Sequence, residues 1–190
     1  EQIAVVLVTG ATGFVGTHCV REALARGYRV RGTVRDAANL AKVGAILRLP
    51  YAEKRLELFE IDLHDGGEKW LRALTDVSYV LHVASPVPVE PDESTIRTAI
   101  QGTTAVLEAA ALSPTVRKVV MTSSCTAVND GHSVIGRVFD ERDWTELSSP
   151  KVDAYARSKT LAEREAWKLW RSLDPANRFD LTVVNPTLII

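Results

Sequence analysis

The sequence predicts an α/β protein built on a doubly wound parallel sheet, the Rossmann fold. Short apolar runs rich in β-branched residues alternate with longer segments of helical periodicity, so each strand is followed by a crossover. Three glycines at three-residue spacing stand between the first strand and the first helix. Right-handed crossovers and one reversal after the third strand predict the strand order 3-2-1-4-5-6.

Six strands and five helices are predicted along the chain. The strands are Val5–Val8, Tyr28–Val34, Leu56–Ile61, Ser78–Val83, Lys118–Thr122 and Phe179–Val184, each an apolar run. The helices are about 14–26, ended by Gly27, then Ala37–Leu49, ended by Pro50, about 68–74, roughly Glu93–Ala111, and Val152–Ser172. The segment from about 126 to 150 has little periodicity and is predicted to be a loop.

The length of the chain indicates one domain, residues 1–190. Its charge does not predict binding to a highly charged partner. Its 23 basic and 24 acidic residues are interspersed and leave a net charge of −1, which predicts neither a nucleic-acid nor a membrane surface. No apolar stretch has the length of a membrane span. Cys19 and Cys125 stand in apolar surroundings and are interpreted as reduced core thiols of a cytoplasmic protein, and neither has a metal-ligand spacing, so no metal is predicted. The four histidines are scattered, which favours loop or helix-side positions.

The glycine turn is typical of a dinucleotide site. Gly10 allows a sharp turn off the strand, Gly13 lets backbone N–H groups approach a pyrophosphate, and Gly16 lets the helix pack on the strand. The N-terminus of the following helix directs N–H groups and a partial positive charge at the anion. The predicted phosphate-binding segment therefore also includes Thr12, Phe14 and Val15.

The residues after strand 2 favour NADP over NAD. Arg35 can contact a 2′-phosphate with two N–H groups, and Lys42 on the next helix can add a second charge. Two alternatives stay open: Asp36 binds a ribose diol, as NAD requires, or Arg35 is a surface charge and Asp36 caps the helix.

Two further strand ends are predicted to line the cofactor. Asp62 and Leu63 follow strand 3 and would reach the adenine, although an acidic residue there is also a common turn residue. Val83, Ala84 and Ser85 follow strand 4, and their small side chains would let the nicotinamide ribose lie near the backbone.

Tyr155 and Lys159 form the predicted catalytic pair. Their i, i+4 spacing puts both side chains on one helical face. A phenol is a weak acid near neutral pH, and a neighbouring ammonium stabilises its phenolate, so the pair can exchange a proton with a carbonyl oxygen. Ser124, after strand 5, is the first candidate to hold that oxygen, and Ser123 is the next. An amphipathic surface pair and strand-capping serines are the alternative interpretation.

The chain resembles the extended short-chain dehydrogenases/reductases, in particular the dihydroflavonol 4-reductase-like group that includes cinnamoyl-CoA and microbial aldehyde reductases. The resemblance spans the chain and rests on segments 8–16, 32–36, 82–86, 122–124, 155–163 and 185–188. It implies an NADPH-dependent reduction of a small carbonyl compound by a Ser124, Tyr155, Lys159 triad, with Arg35 and Lys42 on the 2′-phosphate. It also implies that Pro186 and Leu188 flank the nicotinamide, that Ser123 belongs to the cofactor site, and that Asn129 touches the substrate.

Three further expectations complete the interpretation. Relatives continue into a C-terminal portion that closes the substrate pocket, whereas this chain stops at the apolar Thr187–Ile190, so most of the substrate-specificity elements are expected to be missing. An NAD-dependent nucleotide-sugar epimerase or dehydratase and a non-catalytic dinucleotide-binding protein are the competing functions. The helices at 93–111 and 152–172 could form a homodimer, and Trp167 and Trp170 could be core or interface.

Overall fold

The computed structural model contains one six-stranded sheet with helices on both faces. It describes residues 3–134, 136–176 and 178–189; Glu1, Gln2, Ile135, Asn177 and Ile190 lie outside this description. All strand pairs in the described sheet are parallel, and their order is β3-β2-β1-β4-β5-β6. The predicted fold class and strand order are therefore confirmed.

The elements follow one another in strict alternation for most of the chain. They are β1 (Val5–Val8), α1 (Phe14–Ala25), β2 (Arg29–Val34), α2 (Leu40–Leu47), α3 (Ala52–Arg55), β3 (Leu56–Glu60), α4 (Gly67–Leu74), β4 (Val77–His82), α5 (Glu93–Ala111), β5 (Lys118–Thr122), a 3-10 turn (Cys125–Ala127), α6 (Ala154–Ser172) and β6 (Asp180–Val184).

The sheet separates two apolar cores because successive side chains of a strand point to opposite faces. In β1, Val6 and Val8 pack with α1 and α2, whereas Val5 and Leu7 pack with α4, α5 and α6. All four side chains are buried, as expected of a central parallel strand.

The predicted helix Ala37–Leu49 is shorter in the structure. The carboxylate of Asp36 accepts the N–H of Ala38 at 3.0 Å, and this local turn delays the helix until Leu40. After Pro50, Tyr51 adopts a left-handed conformation with φ 69° and starts the short α3, which the sequence analysis did not predict. Asp36 therefore does not cap α2; Asn39 occupies the N-cap.

The burial of the two cysteines and the position of one histidine differ from the predictions. Cys19 and Cys125 are free but half-buried, so they border the core instead of lying inside it. Burial still raises the pKa of the Cys19 thiol. His82 is a fully buried strand residue, unlike the loop or helix-side positions expected of the histidines.

The two long helices lie side by side on one face of the sheet. The described parts of α5 and α6 pack against each other more extensively than any other pair of described elements. Trp167 and Trp170 of α6 are half-buried and pack edge to face at 5.8 Å between ring centroids. Across the described ranges, no helix combines the length and apolarity that crossing a bilayer requires.

Candidate active site

A cleft of about 1000 Å³ opens where β1 and β4 end side by side, at the point where the strand order reverses. This volume is at the upper end of the range for small-molecule and cofactor sites. Its walls include thirteen of the predicted cofactor-binding residues: Gly10, Thr12, Gly13, Phe14, Val15, Gly16, Arg35, Lys42, Asp62, Leu63, Val83, Ala84 and Ser85. Segments far apart in sequence thus meet at one edge of the sheet.

The glycine turn has the geometry that a pyrophosphate cradle requires. Gly10 has φ +65° and donates its N–H to the hydroxyl of Thr33 at 3.2 Å. A Cβ on Gly10 would lie 3.1 Å from the Cα of Ala84, so a side chain would push the walls apart. Gly13 is the N-cap of α1 and leaves the N-terminus of that helix without a side-chain cap.

The two longest helices, α5 and α6, both have a side-chain cap at their N-termini. In α5, Asp92 accepts the N–H of Thr95 at 3.0 Å, and in α6, Asp153 accepts the N–H of Ala156 at 2.7 Å. Because α1 lacks such a cap and its first turn lines the cleft, its N–H groups and its dipole are free to meet an anion. The residues present therefore fit a dinucleotide.

Arg35 and Lys42 stand on the exposed rim of this cleft. Asp36 is not among the cleft walls, and its carboxylate accepts the N–H of Ala38. Asp62 lines the cleft, and its carboxylate accepts the N–H of His64 at 3.0 Å. At the end of the cleft next to β2, the charged side chains are therefore the two cations Arg35 and Lys42.

A buried polar chain fixes the segment after β4. The Thr9 hydroxyl accepts the N–H groups of Val83 at 3.0 Å and Ala84 at 2.9 Å. Since both of its lone pairs are occupied, its own hydrogen goes to Nδ1 of His82, 3.0 Å away. The other ring nitrogen, Nε2, then carries the proton and faces the hydroxyl of Thr103 at 3.4 Å. Burial lowers the pKa of His82 to about 4, with a smaller effect from the Lys159 charge.

The predicted catalytic residues lie on two elements: Ser124 directly follows β5, and Tyr155 and Lys159 lie in the first turns of α6, which packs against the 3-10 turn after Ser124. Ser124 is 7% exposed and follows β5. Its Oγ accepts from the N–H of Thr126 at 3.2 Å and from the Thr126 hydroxyl at 3.0 Å. With both lone pairs used, the hydrogen of Ser124 is available to donate to another oxygen.

Lys159 is buried next to Tyr155 in the first turns of α6. Its Nζ lies 5.8 Å from the centroid of the Tyr155 ring, and Lys159 is 5% exposed. Burial lowers the pKa of Lys159 to about 8, and the negative charge of Glu163 opposes that shift. The ammonium therefore remains protonated at neutral pH.

The remaining predicted site residues lie in the segments that follow β5 and β6. Ser123 is buried, and its Oγ has no hydrogen-bond partner among the described residues. Pro186 accepts the N–H of Cys125 at 2.9 Å, which ties the segment after β6 to the end of β5. Leu188 and Asn129 are exposed and line neither the cleft nor its rim.

Two polar residues near these segments, the buried Glu163 and the half-buried Asn185, were not predicted to belong to the site. Glu163 lies one helical turn after Lys159, and Asn185 follows β6; they bond to each other at 2.8 Å. The spacing of Tyr155, Lys159 and Glu163, each four residues apart, is the signal that could have identified Glu163.

Comparison with known proteins gives one family and a consistent set of relatives. The NAD dependent epimerase/dehydratase family model matches residues 6–188. The chain is 41% identical over 194 residues to the bifunctional dihydroflavonol 4-reductase/flavanone 4-reductase of Pyrus communis, covering 97% of this chain and 54% of that protein. It is 38% identical over 199 residues to dihydroflavonol 4-reductase of Arabidopsis thaliana, covering 100% of this chain and 50% of that protein. The chain thus spans about half the length of these curated relatives.

Solved structures resemble the chain over nearly all of its length. Gre2 from Candida albicans in complex with NADPH has a TM-score of 0.81 at 31% identity, covering 98% of this chain and 58% of that one. Yeast methylglyoxal/isovaleraldehyde reductase Gre2 complexed with NADPH has a TM-score of 0.81 at 28% identity, covering 96% and 57%. Vestitone reductase from alfalfa has a TM-score of 0.79 at 29% identity, covering 95% and 56%.

Proposed function

The chain belongs to the NAD dependent epimerase/dehydratase family, the extended branch of the short-chain dehydrogenases/reductases, and on that premise we propose that it is an NADPH-dependent carbonyl reductase. The observation that carries the proposal is the cleft itself, where the uncapped N-terminus of α1 and the cations Arg35 and Lys42 line one cavity. Such an arrangement suits a ligand with a pyrophosphate and a further phosphate. Relatives named as reductases, two of them solved with NADPH, support the same interpretation.

In the proposed site, each predicted cofactor contact has a physical reason. The backbone around Gly13 would hold the pyrophosphate, and Arg35 with Lys42 would hold the 2′-phosphate. The segment after β3 would border the adenine, and the segment held by Thr9 would border the nicotinamide ribose. Lys159 would also bond the nicotinamide ribose hydroxyls, and Tyr155, Ser123, Pro186 and Leu188 complete the predicted cofactor contacts. The predicted substrate contacts are those of Ser124, Tyr155 and Asn129.

The proposed chemistry divides between the cofactor and three side chains. Bound NADPH supplies a hydride to the carbonyl carbon of an aldehyde or ketone. Tyr155 donates its proton to the carbonyl oxygen, so that the product is an alcohol. Ser124 donates a hydrogen bond to that oxygen while negative charge develops, since its hydrogen is not used by Thr126. Lys159 stabilises the phenolate that Tyr155 becomes.

Cofactor binding tests the proposal first. NADPH and NADH are titrated into the protein, and tryptophan fluorescence is followed, since Trp70 forms part of the cleft wall. NADPH is expected to bind more tightly than NADH, and Arg35→Ala is expected to weaken NADPH binding by about 10- to 100-fold and leave NADH unchanged. Arg29→Ala, an exposed arginine at the other end of β2, is the matched control and should alter neither affinity.

Turnover of NADPH with isovaleraldehyde, methylglyoxal and dihydroquercetin, a dihydroflavonol, tests the reductase activity directly. Reduction of at least one of these carbonyls supports the proposal. Equal affinity for NADH and NADPH, unchanged by Arg35→Ala, would overturn the NADP assignment and favour an NAD-dependent epimerase or dehydratase. Tight NADPH binding without turnover of any carbonyl would favour a protein that only binds dinucleotide.

We further propose that residues 1–190 form one NADP-binding domain that carries the catalytic triad. Cytoplasmic location and a homodimer through the long helices stay predictions. Because α5 and α6 already pack on each other, a homodimer would have to use their outer faces. Light scattering after gel filtration measures that oligomeric state.

A further inference from the structure

A single side chain joins the three segments that meet beside the cleft. Asn185, directly after β6, donates through Nδ2 to the backbone oxygen of Ser124 at 3.1 Å and to Oε2 of Glu163 at 2.8 Å. The end of β5, the middle of α6 and the segment that leads to Pro186 are thereby held together. Two of these segments carry the residues of the proposed catalytic triad.

The side chain of Glu163 is an acidic group that is buried inside the protein. It is 6% exposed, and its second oxygen, Oε1, accepts the indole N–H of Trp167 at 3.3 Å. Burying a carboxylate costs free energy unless donors or an opposite charge compensate it. The nearby opposite charge is Lys159, one turn earlier on the same helix face.

We propose that Glu163 is a positioning residue of the proposed reductase site: its buried carboxylate holds Asn185 against the end of β5 and places a negative charge one helical turn from the ammonium of Lys159. The inference rests on the proposed function, because it assigns to Glu163 a role that only a working Tyr155–Lys159 pair needs. The titratable groups that act on or contact Lys159 are His82 from β4 and, on α6, Tyr155 and Glu163. Only Glu163 among them opposes the loss of the proton from Lys159.

The bridging and electrostatic parts of this role can be separated by substitution. Glu163→Gln keeps the size of the side chain and an oxygen for Asn185 but removes the negative charge. Asn185→Ala removes the bridge and leaves that charge in place. Glu163→Asp keeps the charge and shortens the side chain by one methylene.

The decisive measurement is the titration of Lys159, followed by NMR of isotope-labelled lysine side chains and assigned with Lys159→Met. In the unmodified protein the ammonium is expected to titrate near pH 8. Glu163→Gln should lower the pKa of Lys159 by about one unit, whereas Asn185→Ala and Glu163→Asp should change it by less than half of that. Glu165→Gln, which removes a charge of the same helix paired with Lys168, is the matched control and should leave Lys159 unchanged.

An unchanged Lys159 titration in folded Glu163→Gln would overturn the proposal and leave Glu163 as a structural residue. If Glu163→Gln does not fold, Glu163→Leu, which also removes the negative charge, decides: a lowered pKa of Lys159 supports the electrostatic role, and an unchanged pKa contradicts it. This readout needs neither cofactor nor substrate, so it stands even if no carbonyl is reduced and the proposed function fails. In an active protein, Glu163→Gln should also move the alkaline fall of turnover to lower pH by the same amount.

Discussion

His82 is a buried residue that orders the wall of the cleft without lining the cleft itself. Its ring accepts the hydrogen of Thr9, whose oxygen in turn holds the two backbone N–H groups after β4. A protonated imidazole would present a second hydrogen to an oxygen that already receives two. The protein therefore holds His82 neutral, and protonation opposes the fold.

The free energy of unfolding should consequently rise with pH between about 4 and 6.5. In that window the unfolded chain binds a proton at residue 82 and the folded chain does not, because burial lowers the pKa of His82 to about 4. The contribution amounts to about 3 kcal/mol between pH 7 and pH 4. Urea unfolding at several pH values should show this slope in the parent protein and a flatter one in His82→Gln. His64→Gln, an exposed histidine, should keep the parent slope, and an equally steep slope in His82→Gln would contradict the argument.

At the scale of elements, the contact of α1 with the end of β1 depends on Gly16. A Cβ on Gly16 would lie 2.1 Å from the oxygen and 2.9 Å from the carbonyl carbon of Gly10. These are backbone atoms of a turn that has no free space, so the helix would have to move away from the sheet.

Gly16→Ala should therefore destabilise the protein by about 3 kcal/mol and weaken dinucleotide binding together with it. The matched control is Gly67→Ala at the start of α4, where a Cβ would meet nothing within 4 Å. That substitution should stabilise the protein by about 0.5 kcal/mol, because alanine lowers the conformational entropy of the unfolded chain. Chemical denaturation measures both, and equal effects of the two substitutions would show that packing at Gly16 is not the cause.

At the scale of the whole molecule, two kinds of feature could be predicted from the sequence: regular elements with a clear hydrophobic pattern, and residues that directly follow the strands. The bounds of α5 and β5 agree with the prediction, because the helix is long and periodic and the strand is apolar. Thirteen of the residues that line the cleft were predicted, because the carboxyl ends of β1, β2, β3 and β4 meet at one edge of the sheet.

The features that the sequence analysis missed depend on local backbone or distant contacts. The short α3 follows a left-handed Tyr51, a conformation that propensity does not indicate for this residue. The bridge from Asn185 to Glu163 and Ser124 joins residues 22 and 61 positions apart, and no spacing rule connects them. A buried polar network is visible only once the chain is folded.

The proposed cofactor-binding residues and the proposed catalytic residues lie in two different regions of the molecule. Substitutions should therefore be able to abolish NADPH binding and turnover separately. The cleft is built from the ends of β1 to β4, whereas Ser124, Tyr155 and Lys159 come from the end of β5 and from α6. Tyr155→Phe removes one hydroxyl and should leave the Kd of NADPH within about twofold. Turnover should fall by about 10²- to 10⁴-fold, the usual contribution of a general acid.

Gly13→Val should produce the opposite result, because its side chain would occupy the space where a phosphate approaches the N-terminus of α1. The folded variant should lose NADPH binding while the titration of Lys159 stays near pH 8. Tyr51→Phe, an exposed tyrosine outside both regions, is the control for Tyr155→Phe and should alter neither property. Fluorescence titration and NADPH consumption measure the two properties on the same samples. A Tyr155→Phe variant that loses binding and turnover together would mean that the two regions act as one site.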